Sequence, residues 1–340
     1  DISKWEEVAK AHAEFFIAIK PAENAAARDR AADFHHLTKL LDRHGVAHPP
    51  PGATHYFGRI GKYALKWESH TEFVTYTAFA DGVSARSFDP ADFEVFPADW
   101  LAEAPGMRIT SALVRIDVLK EKEEVVRSLS DWFVPESLAA SYVLDEAAVV
   151  AGDFRIDPAG HIRLAVFVAP GTGARRVGRI VQRMLEIETY KTMSMLGFAR
   201  VREIGSRMGH IDRQLTDLMA DMRDEEKSAD LTLAGLLAVS AELENLGVQT
   251  SFRFGATSAY EAIVHQRIEV MRETRFDGRQ TLNEFMMRRY DPAMRTVKAS
   301  EARLKAMSDR AIRAGELLRT RVDVERSAQN QQLLESMNQR

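Results

Sequence analysis

The sequence predicts an α+β protein, a largely antiparallel sheet domain with flanking helices followed by an elongated arm of long antiparallel helices. Three observations carry this expectation. Residues 62–68 and 72–79 alternate with a period of two around a polar Ser69-His70, the pattern of a hairpin. Strand-like and helix-like stretches are mixed up to Pro170, which favours a sheet domain over residues 1–170. After Pro170 every apolar pattern has helical period, so residues 171–340 read as a long-helix arm ending in a stalk helix.

In chain order, Ser3 and Glu6 have capping-box spacing ahead of Trp5 and Val8, predicting a short opening helix, and Phe15–Ile19 reads as an apolar strand. Ala25 to Arg43 has helical period and is stopped by Gly45 and Pro49-Pro50-Pro51. The hairpin follows, and then Pro90, Pro97 and Pro105 punctuate short helical turns around Trp100. A strand at Arg108–Leu119 precedes a charged helix at Lys120–Leu129. Strands at Ala147–Ile156 and His161–Ala169 are joined by Asp157-Pro158-Ala159-Gly160, where proline presets the turn and glycine closes it.

In the second half, Val201, Ile204, Met208, Ile211, Leu215, Leu218 and Met222 recur three and four apart, predicting a long helix from about Arg175 to Asp224. Leu231 to Leu246 reads as a shorter helix ended by Gly247, and Ser258 to Thr274 as another ended near Gly278. The stretch from Thr281 to Arg340 reads as one very long helix, and its run from Pro292 to Arg340, broken by no glycine or proline except Gly315, alone reaches on the order of 70 Å at ~1.5 Å per residue. Its stripe of Val297, Ser300, Leu304, Met307, Ala311, Ala314 and Leu318 is a coiled-coil-like seam narrow enough to seat one partner helix.

Composition narrows the function. With 340 residues, 45% hydrophobic and 28% charged, the chain has the make-up of a folded globular protein. A net charge of −4 argues against a general nucleic-acid binder, so no nucleic-acid partner is expected. From Arg279 onward, however, 13 Lys and Arg face 8 Asp and Glu, so the terminal helix is basic and suits acidic lipid headgroups or an acidic partner. The absence of cysteine excludes disulfides, thiolate metal sites and a cysteine nucleophile. Apolar runs such as Leu164–Ala169 are far shorter than the ~20 residues of a membrane span, so the polypeptide is expected to be soluble as it stands.

Two stretches are candidate sites. Gly171, Gly173, Arg175 and Arg176 sit between a strand and a helix, where backbone N–H groups and two arginines could meet an anion. The next glycine, Gly178, is wrongly spaced for the dinucleotide fingerprint and no Lys-Ser/Thr follows, so the plainer reading is a flexible domain junction. The second candidate is a pocket gathering Lys66, Glu68, His70 and Glu72 from the hairpin with Arg179, Arg183 and Glu186 from one helix face. His70 is the best single titratable candidate, against the plainer reading of a hydrogen-bonded turn histidine. The arginine row could equally be an ion-pair ladder. No His-Glu-x-x-His or Asp-rich loop occurs, His35 and His36 lie on different helix faces, and no metal site, cofactor or catalytic residue is assigned.

The stretches Lys66-Trp67-Glu68-Ser69-His70-Thr71-Glu72-Phe73-Val74-Thr75-Tyr76-Thr77, Gly152-Asp153-Phe154 and Val181-Gln182-Arg183-Met184-Leu185-Glu186-Ile187-Glu188-Thr189-Tyr190 resemble a bacterial family catalogued as domain of unknown function 3422, described as predicted membrane-anchored proteins. Ala259–Val264, Gln280–Phe285 and Pro292–Thr296 are similar to it as well. The resemblance implies a hydrophobic anchoring region beyond Arg340, and a His-Ala-Arg-Pro type segment expected near the N-terminus is missing. It brings no activity. In architecture alone, the expected body, arm and basic terminal helix are similar to the cytoplasmic part of CorA-type divalent-cation transporters, which would make a divalent cation the ligand.

Three expectations follow. The first is the cytoplasmic-face portion of a membrane-anchored homo-oligomer serving as a sensing or assembly module. The second is a soluble anion- or nucleotide-binding enzyme. The third is the cytoplasmic domain of a divalent-cation transporter.

Overall fold

The computed structural model describes residues 12–20, 29–82, 85–89, 94–224 and 226–338. The predicted opening helix at residues 3–9 lies outside them. The fold class is α+β, with a mostly antiparallel sheet and long helices. Two compact units divide the chain: residues 1–194 with 259–292, and residues 195–258 with 293–340. The helices after residue 170 are shared between them.

The first unit holds a nine-stranded sheet. Its strands are β1 (His12–Lys20), β2 (His55–Ile60), β3 (Tyr63–Ser69), β4 (Val74–Asp81), β5 (Met107–Val118), β6 (Ala139–Val143), β7 (Ala148–Ile156), β8 (Ile162–Val168) and β9 (Thr274–Arg275), in the order β2-β3-β4-β1-β5-β8-β7-β6-β9. All neighbours run antiparallel except β5 and β8, which pair in parallel from Ala112↔Ile162 to Val118↔Val168. Two local meanders, β2-β3-β4 and β6-β7-β8, therefore flank a centre made of strands distant in sequence. The second meander is linked to β5 through helix α3 (Lys122–Trp132). At residues 152–156 β7 leaves the register of β8, and the buried Asp153 carboxylate takes the N–H groups of Val134 and Arg155 that this irregularity presents.

Helix α1 (Arg30–Arg43) starts where Asp29 accepts from the N–H groups of Ala31 and Ala32, and it ends at Gly45, whose φ of +62° favours glycine. Its apolar face, Leu37, Leu40 and Leu41, packs on Leu65, Trp67, Tyr76 and Ala78 of the sheet and on Trp100 of helix α2 (Ala98–Ala102). His36 is buried in this cluster, stacked on Trp100 with ring centroids 4.0 Å apart. Its Nε2 lies 2.9 Å from the Trp100 carbonyl, which only accepts, so Nε2 carries the proton and Nδ1 accepts from Tyr76 Oη at 3.1 Å. Burial pushes the His36 pKa down, in keeping with that neutral ring. A second cluster gathers Val125, Leu129 and Phe133 around α3 with Ala140, Val149, Ala151 and Phe167 of the sheet.

Three helices cross from one unit's residues to the other's or lie in the second unit: α4 (Ala174–Asp221), α5 (Ala229–Glu269) and α7 (Asp291–Asn338), with the short α6 (Leu282–Arg289) before the last. Two expectations need correction. Gly247 does not end a helix: α5 continues through it, because Leu243, Leu246, Thr250, Phe254 and Thr257 keep one face buried. That packing outweighs the ~1 kcal/mol that a mid-helix glycine costs. The helix expected from Thr281 is also two helices. Thr281 and Glu284 form a capping box that starts α6, and Tyr290 separates it from α7, where Pro292 in the first turn offers no N–H to carry the ladder across.

Within the second unit, the stripes of α4 (Val201, Ile204, Met208, Ile211, Leu215) and α7 (Val297, Leu304, Met307, Ala311, Ala314, Leu318) are buried inside the chain. The seam expected to seat a partner is thus occupied within the same molecule. Asp212 of α4 meets Arg303 and Arg310 of α7, and Arg321 reaches the Met222 carbonyl, so these helices run the same way. Arg207 pairs with Glu242 and Gly235 faces Leu218, so α5 runs against α4. At Gly197 a Cβ would stand 2.2 Å from Thr257 Oγ1, so the two backbones approach as closely as only glycine allows. From residue 323 to 337 every described side chain of α7 is exposed.

Candidate functional site

The β2-β3-β4 meander has two unlike faces. Alternation puts Leu65, Trp67, Tyr76 and Ala78 on the side of α1, while Lys66, Glu68, Thr75, Thr77 and Phe79 lie on the other. Strand register lines the second set into rungs: His55, Glu68 and Thr75 are successive cross-strand partners, and so are Phe57, Lys66 and Thr77. Gln182, Leu185, Glu186, Thr189 and Tyr190 on the third to fifth turns of α4 close over these rungs, leaving a pocket of about 320 Å³. That is within the size range of small-molecule sites, roughly 300–1,000 Å³.

The lining is amphipathic. Phe57, Phe73, Phe79 and Tyr190 supply ring faces; Lys66, Glu68, Gln182 and Glu186 supply charge and hydrogen bonds. Lys66 Nζ lies 2.9 Å from Glu68 Oε2, Gln182 donates to Glu186 at 2.8 Å, and Arg267 of α5 pairs with the other Glu186 oxygen. His70 is stacked on Phe73 with centroids 4.5 Å apart, and its Nε2 is 3.3 Å from Thr75 Oγ1. Phe73 meets the edge of Tyr190, and burial raises the pKa of that phenol, keeping it a protonated donor. Such a wall can grip a ring by stacking and fix its orientation with a few polar groups.

Of the residues expected in a pocket, Lys66, Glu68, His70 and Glu186 line it. Glu72 is buried beside it and accepts from Tyr260 Oη at 3.1 Å. Arg179 and Arg183 lie on the neighbouring face of α4. The Arg183 guanidinium donates to the Val270 carbonyl at 3.3 Å. Its pKa is lowered first by burial and then by Arg179 and Arg267, opposed by Glu186. The lining residues that sequence reasoning missed include His55, Tyr56 and Phe57, on a strand it did not identify; Phe73, Thr75, Thr77 and Phe79, whose place depends on register; and Gly178, Gln182, Leu185 and Thr189, on the face of α4 next to the predicted arginine row.

The glycine loop is a tied connection between β8 and α4. Gly171 turns the chain at φ +82°, Thr172 Oγ1 donates to the Ala147 carbonyl, and Gly173 faces open space. Arg176 donates to the Leu144 carbonyl at 2.6 Å and lies 3.7 Å from Asp145, while Arg175 is exposed. Among the described residues no group of three or more His, Cys, Asp or Glu side chains is arranged to hold a metal ion.

Neither the curated proteins nor the solved structures include a match to the chain. The model of DUF3422, a protein family of unknown function, matches residues 4–340, and the chain belongs to that family.

Proposed function

We propose that this protein is a sensing module that binds a small organic molecule between the β2-β3-β4 face and residues 178–190 of α4. The observation that carries the reading is the pocket itself: aromatic rings and paired charges converge on a cavity that apolar packing leaves open, whereas the opposite face of the same strands is filled. Binding would act directly on α4, which continues past the pocket for some thirty residues.

The test is a thermal-shift screen of small ring-bearing metabolites against the wild type and Gln182→Trp. Gln182 is an exposed lining residue, so the variant should fold while its indole occupies the cavity. Ligands that stabilise the wild type should leave Gln182→Trp unmoved. A screen in which both proteins respond alike would remove the pocket from the account.

The sensing unit is further proposed to be membrane-anchored on the cytoplasmic side and to assemble with copies of itself. The Lys and Arg surplus after Arg279, and the exposed Leu333, Leu334 and Met337 on the last turns of α7, support contact with an anionic lipid surface. Among the described residues α5 is one helix long and apolar enough to cross a membrane by length and composition, at mean hydropathy 1.3. The buried stripe of its first thirty residues and the Arg207–Glu242 pair support reading that part as a packing helix of the second unit. Cell fractionation of the full-length protein decides this point, and recovery in the soluble fraction would count against anchoring. Assembly that depended on Mg²⁺ would favour the CorA-like transport reading instead.

A further inference from the structure

We propose, resting on that pocket, that its ligand is a phosphate monoester of a ring-bearing small molecule, the ring lying between the sheet and α4 and the phosphate on Arg179, Arg183, Arg267 and Arg272. The pocket and the arginines share a border. Positions 178, 182, 185 and 189 of α4 face the cavity, Arg179 and Arg183 stand on the adjoining face, and Glu186 belongs to both, lining the cavity while pairing with Arg267. A molecule with its ring on the Phe57 and Phe79 side would carry a substituent out past Glu186 into the arginine group.

Charge identifies the substituent. The four guanidiniums are opposed by two carboxylates, Glu186 on Arg267 and Asp145 on Arg272 at 2.9 Å. Arg176 also shares Asp145, so the surplus is at least two positive charges, which a phosphate dianion neutralises. The groups acting electrostatically on Arg183 are three arginines and one glutamate, and its side chain is partly withdrawn from water. Holding like charges together in this way is unfavourable until an anion sits among them. The backbone also aims these groups: Arg183 is steadied on the Val270 carbonyl, and Arg272 takes a φ of +50° just after α5, a conformation rare outside glycine.

The experiment is isothermal titration of the full chain, at constant ionic strength, with AMP, UMP, adenosine, uridine and inorganic phosphate. A monophosphate should bind at least about 10-fold more tightly than its nucleoside, the margin of one or two charge-assisted hydrogen bonds. Arg179→Gln and Arg183→Gln should erase that margin, with Arg183→Lys retaining part of it, and circular-dichroism melts would establish that each variant is folded. Gln182→Trp should weaken the monophosphates while leaving inorganic phosphate binding in place. Monophosphate binding undiminished in Arg183→Gln, or no phosphate compound binding at all, overturns the inference. If nucleosides or other neutral ring compounds bind and are blocked by Gln182→Trp with no preference for phosphate, the pocket survives and only the phosphate assignment falls. If inorganic phosphate alone binds, the pocket reading fails and takes this inference with it.

Discussion

The two ends of the sheet use their faces differently. In β7 and β8 nearly every residue is buried whichever way it points: Ala148, Val149, Val150 and Ala151 on one strand, Leu164, Ala165, Val166 and Phe167 on the next. In β3 the exposure alternates, with Tyr63, Leu65 and Trp67 buried and Ala64, Lys66 and Glu68 only partly so, although α4 lies over the second set. A covered face built from lysine, glutamate and threonine cannot be packed solid without stranding polar atoms, so covering it leaves a cavity. The difference directs the search for a ligand in this protein to the end of the sheet where β3 is incompletely buried.

Substitutions can break that comparison. The largest effect belongs to the filled faces: Trp100→Ala should cost about 3–5 kcal/mol and Leu129→Ala about 2–5 kcal/mol in urea denaturation, since both side chains are fully buried. The most direct contrast is a mirrored pair. Val150→Thr should destabilise by about 1–3 kcal/mol, because it puts a hydroxyl into an apolar layer, whereas Thr77→Val on the pocket face should change stability by less than about 0.5 kcal/mol. Equal losses at the two positions would mean that the pocket face is as tightly packed as the other.

A pH profile sharpens the comparison further. Burial lowers the pKa of His36 beneath the pocket strands, and of His161 beside Ser111. At pH 7.5 both rings are largely uncharged whether the chain is folded or not. As the pH falls below the ordinary histidine value of about 6.5, the unfolded chain takes up the protons first, so stability declines until the folded-state values are passed. Urea midpoints between pH 7.5 and 5 should fall accordingly, and His36→Gln should flatten its share of the slope. The smallest effect is at the pocket itself: Gln182→Trp should alter stability by within about 0.5 kcal/mol while abolishing ligand-induced stabilisation.

Much of the sheet is legible in the sequence because periodicity is local. Residues 62–79 declare their hairpin, and the parity of Lys66, Glu68 and His70 already places them on one side. Strand β2 is hidden because Gly58 and the preceding prolines dilute its alternation, and β6 because Ala139-Ala140-Ser141 has little strand propensity. The pocket was half legible for the same reason. Neighbours along one strand or helix can be read, but the rung joining Phe57, Lys66 and Thr77 exists only through pairing. Breaks in the helices are harder to read from single residues: Gly247 is overruled by the packing around it, whereas the break at Tyr290 is marked only by Pro292 two residues on.

The single parallel seam between β5 and β8 has a consequence for the order of assembly. Each flanking meander joins strands close in sequence and can form early, but the seam unites residues some fifty positions apart, and the β1–β5 pairing beside it joins residues 87 to 104 apart, from Lys20↔Met107 to His12↔Ile116, so the centre must enclose everything between them. Substitutions along Leu113 and Val166 are therefore expected to slow refolding when they weaken the protein, while those within the hairpins chiefly hasten unfolding. Closing the centre of the sheet is therefore expected to set the pace at which the β2-β3-β4 face and α4 come together.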